Sequence, residues 1–242
     1  MIERARALML NGVRFAFDWR PGLDVEATWC RRAAVGAIRL WKELCLGPMR
    51  AMVDVGARES EFARWIVDEW PAVELVSFEP DKRHTPRGWV SRAALGSKAA
   101  RAYLKEEIGL SCPFVVPTDP GNQCTEIQIA RFDSLDVQVA RPAMLKVDAE
   151  NCTLDAVRGF GKGLQYFSVV VCEVSNDYGP DQPHLHEYSK SALPFIANEM
   201  WRAGFRFARV LDCGPAVPHR ITHTDIAFYD SRSIEIERNE NQ

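Results

Sequence analysis

The residues whose types and spacing could do chemistry stand where short apolar runs end. Asp54 closes one run and is followed by Gly56, and Glu79 closes a second run 25 residues after Asp54. A strand that turns into a helix at a glycine exposes backbone N–H groups to a nucleotide ligand, and Gly56 permits its close approach. A carboxylate at the next strand end offers two oxygens to the two hydroxyls of a ribose. The spacing predicts an adenosine-like ligand at the carboxyl edge of a parallel sheet.

A second set of charged residues follows a later apolar run. Alternation places Lys146 and Asp148 on the same side of a strand, with Glu150 just past them. Because charges inside a doubly covered sheet are costly, both are expected at or beyond the strand end, facing the same cleft. The alternative is a Lys146–Asp148 ion pair that ties the loop.

Two histidines, His184 and His186, lie in a polar, Pro-rich segment at residues 176–189. Such a loop is expected on the side of the site where a second substrate binds. Two histidines two residues apart in a Pro-flanked loop are typical of a surface, so no metal site is expected. The seven cysteines form no CxxC pair, which indicates reduced thiols.

The elements that must position these residues alternate between strand and helix, which is typical of a parallel α/β sheet. A helix is expected at residues 61–70, with Ser60 as its N-cap, and another at 24–46 as a lid or flank. Residues 98–131 contain several prolines and predict an inserted hairpin or loop. A helix at 191–203 and a terminal hairpin at 205–211 and 225–229 follow. The predicted parallel strands are residues 51–55, 73–78, 90–95, 143–147 and 167–174.

Length and composition fit one α/β domain. The chain has 242 residues, with 47% hydrophobic and 26% charged residues, which excludes wholesale disorder. A net charge of −3 argues against a protein that neutralises many phosphates of a nucleic acid. No apolar stretch near the start is long enough for a signal peptide or a membrane span, so a cytoplasmic protein is expected. The predicted organisation is a helical extension at 1–48, a Rossmann-like domain at 49–236 and a polar tail at 237–242.

A series of short motifs, taken in order, resembles the FkbM family of methyltransferases. These are DVGA at 54–57, FEP at 78–80, ALG at 94–96, DSL at 133–135, and LKVDAEN followed by LDAVRGF within 145–160. The resemblance implies a class I methyltransferase fold, a mostly parallel seven-stranded sheet with helices on both faces and an antiparallel last strand pair. It also implies S-adenosylmethionine as cofactor and a hydroxyl of a sugar, glycan or natural product as methyl acceptor.

The resemblance, joined to the spacing above, implies roles for individual residues. Glu79 would bind the ribose, Asp54 would act indirectly near the amino group of the cofactor, and Ala94 and Leu95 would flank the adenine. The expected cofactor-binding residues are Asp54, Gly56, Ala57, Arg58, Ser60, Glu79, Pro80, Ala94, Leu95 and Asp148. The candidate catalytic residues are Asp148, Glu150, Lys146 and His184.

The chain departs from the family pattern at four positions in the cleft. Arg58 and Ser60 replace the usual asparagine and glycine of the first loop, and Asn151 and Thr153 replace a glycine and a glutamate. These changes leave open a non-catalytic binding or assembly module of the same fold. An NAD(P)-dependent oxidoreductase is a further alternative, but the GxGxxG fingerprint it needs is absent from this turn. The sequence leaves the oligomeric state open.

Overall fold

The computed structural model describes residues 6–10, 13–17, 25–105, 114–116, 124–149, 152–175, 193–213, 216–217, 220–221 and 223–232. The strands, in chain order, are β1 (Arg6–Leu10), β2 (Val13–Phe17), β3 (Ala51–Val55), β4 (Glu74–Phe78), β5 (Trp89–Ser91), β6 (Ala94–Leu95), β7 (Ala100–Lys105), β8 (Phe114–Val116), β9 (Cys124–Ala130), β10 (Ala143–Val147), β11 (Val169–Ser175), β12 (Phe205–Cys213), β13 (Ala216–Val217), β14 (Arg220–Ile221) and β15 (His223–Asp230). The α-helices are α1 (Val25–Glu43), α2 (Glu61–Glu69), α3 (Thr153–Phe160) and α4 (Leu193–Arg202).

Seven of these strands form the central sheet, in the order β5–β4–β3–β10–β11–β15–β12. The neighbours from β5 to β11 are parallel, and β15 runs antiparallel to both β11 and β12. This is an α/β, Rossmann-like fold. The expected mostly parallel seven-stranded sheet with an antiparallel last pair is therefore confirmed.

The two central strands, β3 and β10, are buried along their whole length, as expected for strands covered on both faces. Helices α1 and α2 pack on one face, where Trp41, Phe62 and Met144 belong to one hydrophobic cluster. Helices α3 and α4 pack on the other face around a cluster that contains Phe160 and Met200. The helix expected at 24–46 is α1, and it packs against α2 and β12.

The strand predicted at 90–95 is wrong, because the chain turns in its middle. Residues 89–91 form the edge strand β5 of the central sheet, whereas β6 pairs with β9 in a separate four-stranded sheet. The turn is fixed by a side chain, since the Ala93 N–H donates to the Ser91 Oγ at 3.3 Å. The inserted hairpin expected at 98–131 is present as the antiparallel pair β7–β9, with β8 beside β7.

None of the described helices is both long and apolar enough to cross a membrane.

Candidate functional site

Two loops meet at the carboxyl edge of the central sheet. Residues 56–60 follow β3, and residues 79–88 follow β4, the strand beside it. The Gly56 and Ala57 N–H groups donate to the Phe78 carbonyl at 2.9 and 3.3 Å, which fixes the first loop against the end of β4. The chain order reverses here, because β4 and β10 lie on opposite sides of β3. Ligands of open α/β sheets bind at such a reversal, outside the carboxyl ends of the strands.

Glu79 lies between the two loops and is only 5% exposed. One carboxylate oxygen accepts the Arg58 N–H and the other accepts the Asp81 N–H, each at 2.8 Å. Burial raises the pKa of Glu79, and these two backbone donors oppose the shift. Each oxygen of a carboxylate has two acceptor sites, so Glu79 can accept a further hydrogen bond on each side.

The backbone of the first loop is left-handed at three positions, with φ of 75° at Gly56, 43° at Arg58 and 59° at Ser60. A Cβ built on Gly56 would lie 1.7 Å from the Asp148 carbonyl oxygen. The close approach expected at this glycine is therefore made by the protein's own backbone. Asparagine and glycine, the usual family residues at 58 and 60, are the types that adopt this conformation most readily. Arg58 and Ser60 keep the conformation that those residues favour.

Ser60 is the N-cap residue of α2, as predicted, but its side chain makes no capping hydrogen bond. Its hydroxyl is fully buried and accepts the Arg87 N–H at 2.9 Å. The left-handed backbone at Ser60 differs from the extended geometry in which a side chain caps a helix. The residue ties the two loops together instead.

Three consecutive residues of the first loop bond to the second. The Arg58 N–H donates to Glu79, and the Glu59 carboxylate accepts from the Thr85 hydroxyl at 2.9 Å and lies 3.1 Å from the His84 Nδ1. Ser60 completes the series. Hydrogen bonds from His84 and Thr85 lower the pKa of the exposed Glu59. The two loops therefore form one unit around Glu79.

Lys146 lies inside β10 and is 3% exposed, so its expected position at or beyond the strand end is wrong. Its ammonium is 2.7 Å from an Asp148 oxygen and 3.7 Å from an Asp225 oxygen. The ion pair considered as the alternative for Lys146 is thus present. Burial lowers the pKa of Lys146, but Asp148, Asp225 and Glu173 outweigh burial and hold it above its ordinary value. A lysine held protonated in this way cannot accept a proton from a substrate.

Asp54 stands beside Lys146 in the register of β3 and β10, on the same face of the sheet. It is 2% exposed. Burial raises the pKa of Asp54 to about 7, against the attraction of Lys146 and with the repulsion of Asp148. A positive charge placed near such a carboxyl group would favour its ionised form.

Three further acids extend this charged cluster and were not recognised in the sequence. Glu173 on β11, Asp225 on β15 and Asp212 on β12 are direct register partners across the three strands. Burial raises the pKa of Asp225, and Lys146 opposes that shift. Arg32 of α1 binds Asp212 at 2.9 Å. The available signal was an acidic residue near the end of β11 and of β12 and another near the start of β15, but the antiparallel pairing of β15 with both strands was needed to align them.

The remaining candidates are distributed unevenly. Pro80 is half-buried beside Glu79, whereas Ala94 lies half-buried on β6 in the smaller sheet. Leu95 is 4% exposed and belongs to the hydrophobic core. Glu150 and His184, together with His186 and Asn151, lie outside the described residues. Within the described part of the chain, no group of three or more metal-ligating side chains is arranged to hold a metal ion.

The chain was compared with known protein families, curated proteins and solved structures. No protein-family profile matches the chain, and no curated protein matches it. Magnesium protoporphyrin IX methyltransferase from Synechocystis PCC 6803 with bound SAH is similar, with a TM-score of 0.48 and 8% identity over 89% of this chain and 90% of that chain. Mitomycin 7-O-methyltransferase has a TM-score of 0.41 and 10% identity over 84% of this chain and 54% of that one. Precorrin-6y C5,15-methyltransferase from Geobacter metallireducens GS-15 has a TM-score of 0.37 and 10% identity over 81% and 88% of the two chains.

Proposed function

We propose that this protein is an S-adenosylmethionine-dependent methyltransferase. The observation that carries the proposal is the joint placement of Asp54 and Glu79 at the carboxyl edge of adjacent parallel strands, where the chain order reverses. Ligands of doubly wound sheets bind at this position. The loop that follows Asp54 donates the Arg58 N–H to Glu79, and its left-handed backbone is the one that asparagine and glycine, the residues of the FkbM pattern, adopt most readily.

Glu79 is the residue proposed to hold the ribose of the cofactor. Its oxygens are fixed by the Arg58 and Asp81 N–H groups, and the remaining acceptor sites suit two hydroxyls. Gly56, Ala57 and Pro80 supply the adjoining backbone and side-chain surface. Asp54, whose pKa is raised to about 7, suits the positively charged amino group of the cofactor, directly or through a water molecule.

When bound, the cofactor supplies a methyl group on a sulfonium that is already a good leaving group. The protein then has to hold the acceptor in line with that methyl group, and this positioning of the acceptor accounts for most of the rate acceleration. Asp148, whose side chain is 28% exposed, is the described residue proposed to take the acceptor's proton. Lys146 holds and orients Asp148 rather than reacting itself. Glu150 and His184 remain candidates for the same role.

The acceptor proposed is a hydroxyl group on a sugar, glycan or natural product, in accordance with the resemblance to the FkbM family. Membership of that family, the cytoplasmic location and the division into residues 1–48, 49–236 and 237–242 belong to the same proposal. The structural explanation for Arg58 and Ser60 removes one reason to favour a non-catalytic relative.

Calorimetric titration with S-adenosylmethionine and S-adenosylhomocysteine tests the proposal. Glu79→Ala and Glu79→Gln are each expected to weaken the binding of both ligands by about tenfold or more, the scale of a lost charge-assisted hydrogen bond. Glu126→Gln is the matched control, because Glu126 is exposed on β9 of the smaller sheet. Melting curves of each variant verify that it is folded. Absence of binding by the wild-type protein, or equal affinity in the Glu79 variants, would refute the assignment.

A further inference from the structure

Arg92 makes an unusual set of contacts with the loop that carries Glu79. The two N–H bonds of a single guanidinium nitrogen, Nη1, face three carbonyl oxygens: those of Asp81 and His84, each at 3.0 Å, and that of Glu79 at 3.4 Å, so one N–H is shared. Arg92 directly follows the last residue of β5 and, although it is exposed overall, its guanidinium reaches back over this loop. Arg92 therefore contacts the backbone of the second loop at three residues.

These contacts act on the backbone of the second loop, whereas the Glu79 side chain is held by backbone N–H groups. Its two oxygens accept N–H groups of Arg58 in the first loop and of Asp81 in the second. The Glu79 N–H donates to the Ser91 carbonyl at 3.0 Å, so the residue beside Arg92 also fixes it. Without Arg92, the Glu79, Asp81 and His84 carbonyl oxygens would lose their shared donor.

We propose that Arg92 is a positioning residue for the ligand site: it fixes the loop backbone so that the Glu79 carboxylate points to the first loop in the geometry that binds a ribose. The proposal rests on the proposed function for its effect on ligand affinity. The permanent positive charge of arginine suits this task, since it strengthens hydrogen bonds to several carbonyl oxygens at once.

The ligand-free protein provides the first test. Amide hydrogen exchange, followed by NMR, reports directly on the Arg58 and Asp81 N–H groups that hold Glu79. Arg92→Ala is expected to accelerate exchange at both amides by about tenfold, and Arg92→Lys to recover part of the protection. Arg101→Ala is the matched control, because Arg101 is exposed on β7 of the smaller sheet. Unchanged exchange in Arg92→Ala overturns the proposal.

Ligand affinity provides the second test, by a double-variant cycle with S-adenosylhomocysteine. Arg92→Ala is expected to weaken binding by about fivefold or more in the wild-type background, but by less than about twofold in the Glu79→Gln background. A purely structural effect would weaken binding by the same factor in both backgrounds, and that result would overturn the proposal. If the wild-type protein does not bind this ligand, the proposed function fails, and amide exchange alone decides whether Arg92 positions Glu79.

Discussion

Gly56 shows how one residue fixes the geometry of the loop after β3. Its φ of +75° is strained for any residue with a side chain, and a Cβ would meet the Asp148 carbonyl at 1.7 Å. Since the Asp148 N–H in turn donates to the Val55 carbonyl, this contact joins the ends of β3 and β10. The glycine therefore sets the spacing between the end of β3, which carries Asp54, and the end of β10, which Asp148 follows.

Gly56→Ala is expected to destabilise the protein by about 2–4 kcal/mol, since backbone strain and displacement of the Asp148 loop add together. Gly47→Ala is the matched control: Gly47 has a φ of +67°, but among the described residues no atom lies within 4 Å of a Cβ placed there. Gly47→Ala should lower the free energy of unfolding by about 1 kcal/mol, the cost of backbone strain alone. Urea unfolding measures both. Equal losses of stability in the two variants would show that the Asp148 loop can move away from a Cβ at residue 56 at no energetic cost.

Asp54 makes the stability of the fold dependent on pH. Its pKa in the folded protein, about 7, lies above its ordinary value of 3.8, so the folded state binds the proton more tightly than the unfolded state. The contribution of Asp54 to stability is therefore complete at low pH and declines as the pH rises towards 7. Asp54→Asn is expected to flatten this decline. Unfolding curves at several pH values between about 4 and 8 measure it, and parallel curves for the two proteins would contradict the assignment.

At the scale of elements, α3 is held against β6 by two glycines. A Cβ on Gly159 would lie 2.3 Å from the Gly96 carbonyl oxygen, so the helix and the end of the strand approach with backbone against backbone. Ser97 reinforces the contact with a hydrogen bond to Asp155 at 3.3 Å. This approach places the smaller sheet beside the helix that follows β10.

Gly159→Ala is expected to destabilise the protein, although alanine favours a helix over glycine by about 1 kcal/mol. Gly36→Ala in α1 is the comparison that isolates propensity, because the nearest atom to its Cβ is the tip of the Leu211 side chain at 3.2 Å. That variant should be neutral or more stable. Thermal melting of the two variants checks this expectation. A stabilised Gly159→Ala protein would mean that β6 is free to move away from α3.

The sequence predicted β3 and β10 to the residue, because each is an uninterrupted buried run in a parallel sheet. It failed at residues 90–95, where a hydrogen bond between Ala93 and Ser91 divides the run. It also placed Lys146 outside the sheet, since the acids that neutralise the lysine come partly from β15, about 80 residues later. The strands could thus be predicted from local sequence pattern. The details of the site could not, because they depend on side-chain hydrogen bonds and on charges from distant parts of the chain.

At the scale of the whole molecule, the central sheet brings together charges from four strands on the face that α1 and α2 cover. Asp54, Asp148, Glu173 and Asp225 all act on the pKa of Lys146 or are shifted by its charge. A single lysine and several acids leave an excess of negative charge beside the proposed cofactor site. That excess suits the positively charged sulfonium and ammonium groups of S-adenosylmethionine.

Binding of the cofactor should therefore stabilise the entire fold and not only the loops. A ligand present at about 100 times its dissociation constant adds about 2.7 kcal/mol to the free energy of unfolding. For a chain of 242 residues, this corresponds to a rise in Tm of about 5–10 °C. Differential scanning fluorimetry with S-adenosylhomocysteine measures the shift, Glu126→Gln should retain it, and Glu79→Ala, with about tenfold weaker binding, should lose about half of it or more. A wild-type protein whose Tm is unmoved at saturating ligand would contradict the link between this edge of the sheet and the adenosyl group.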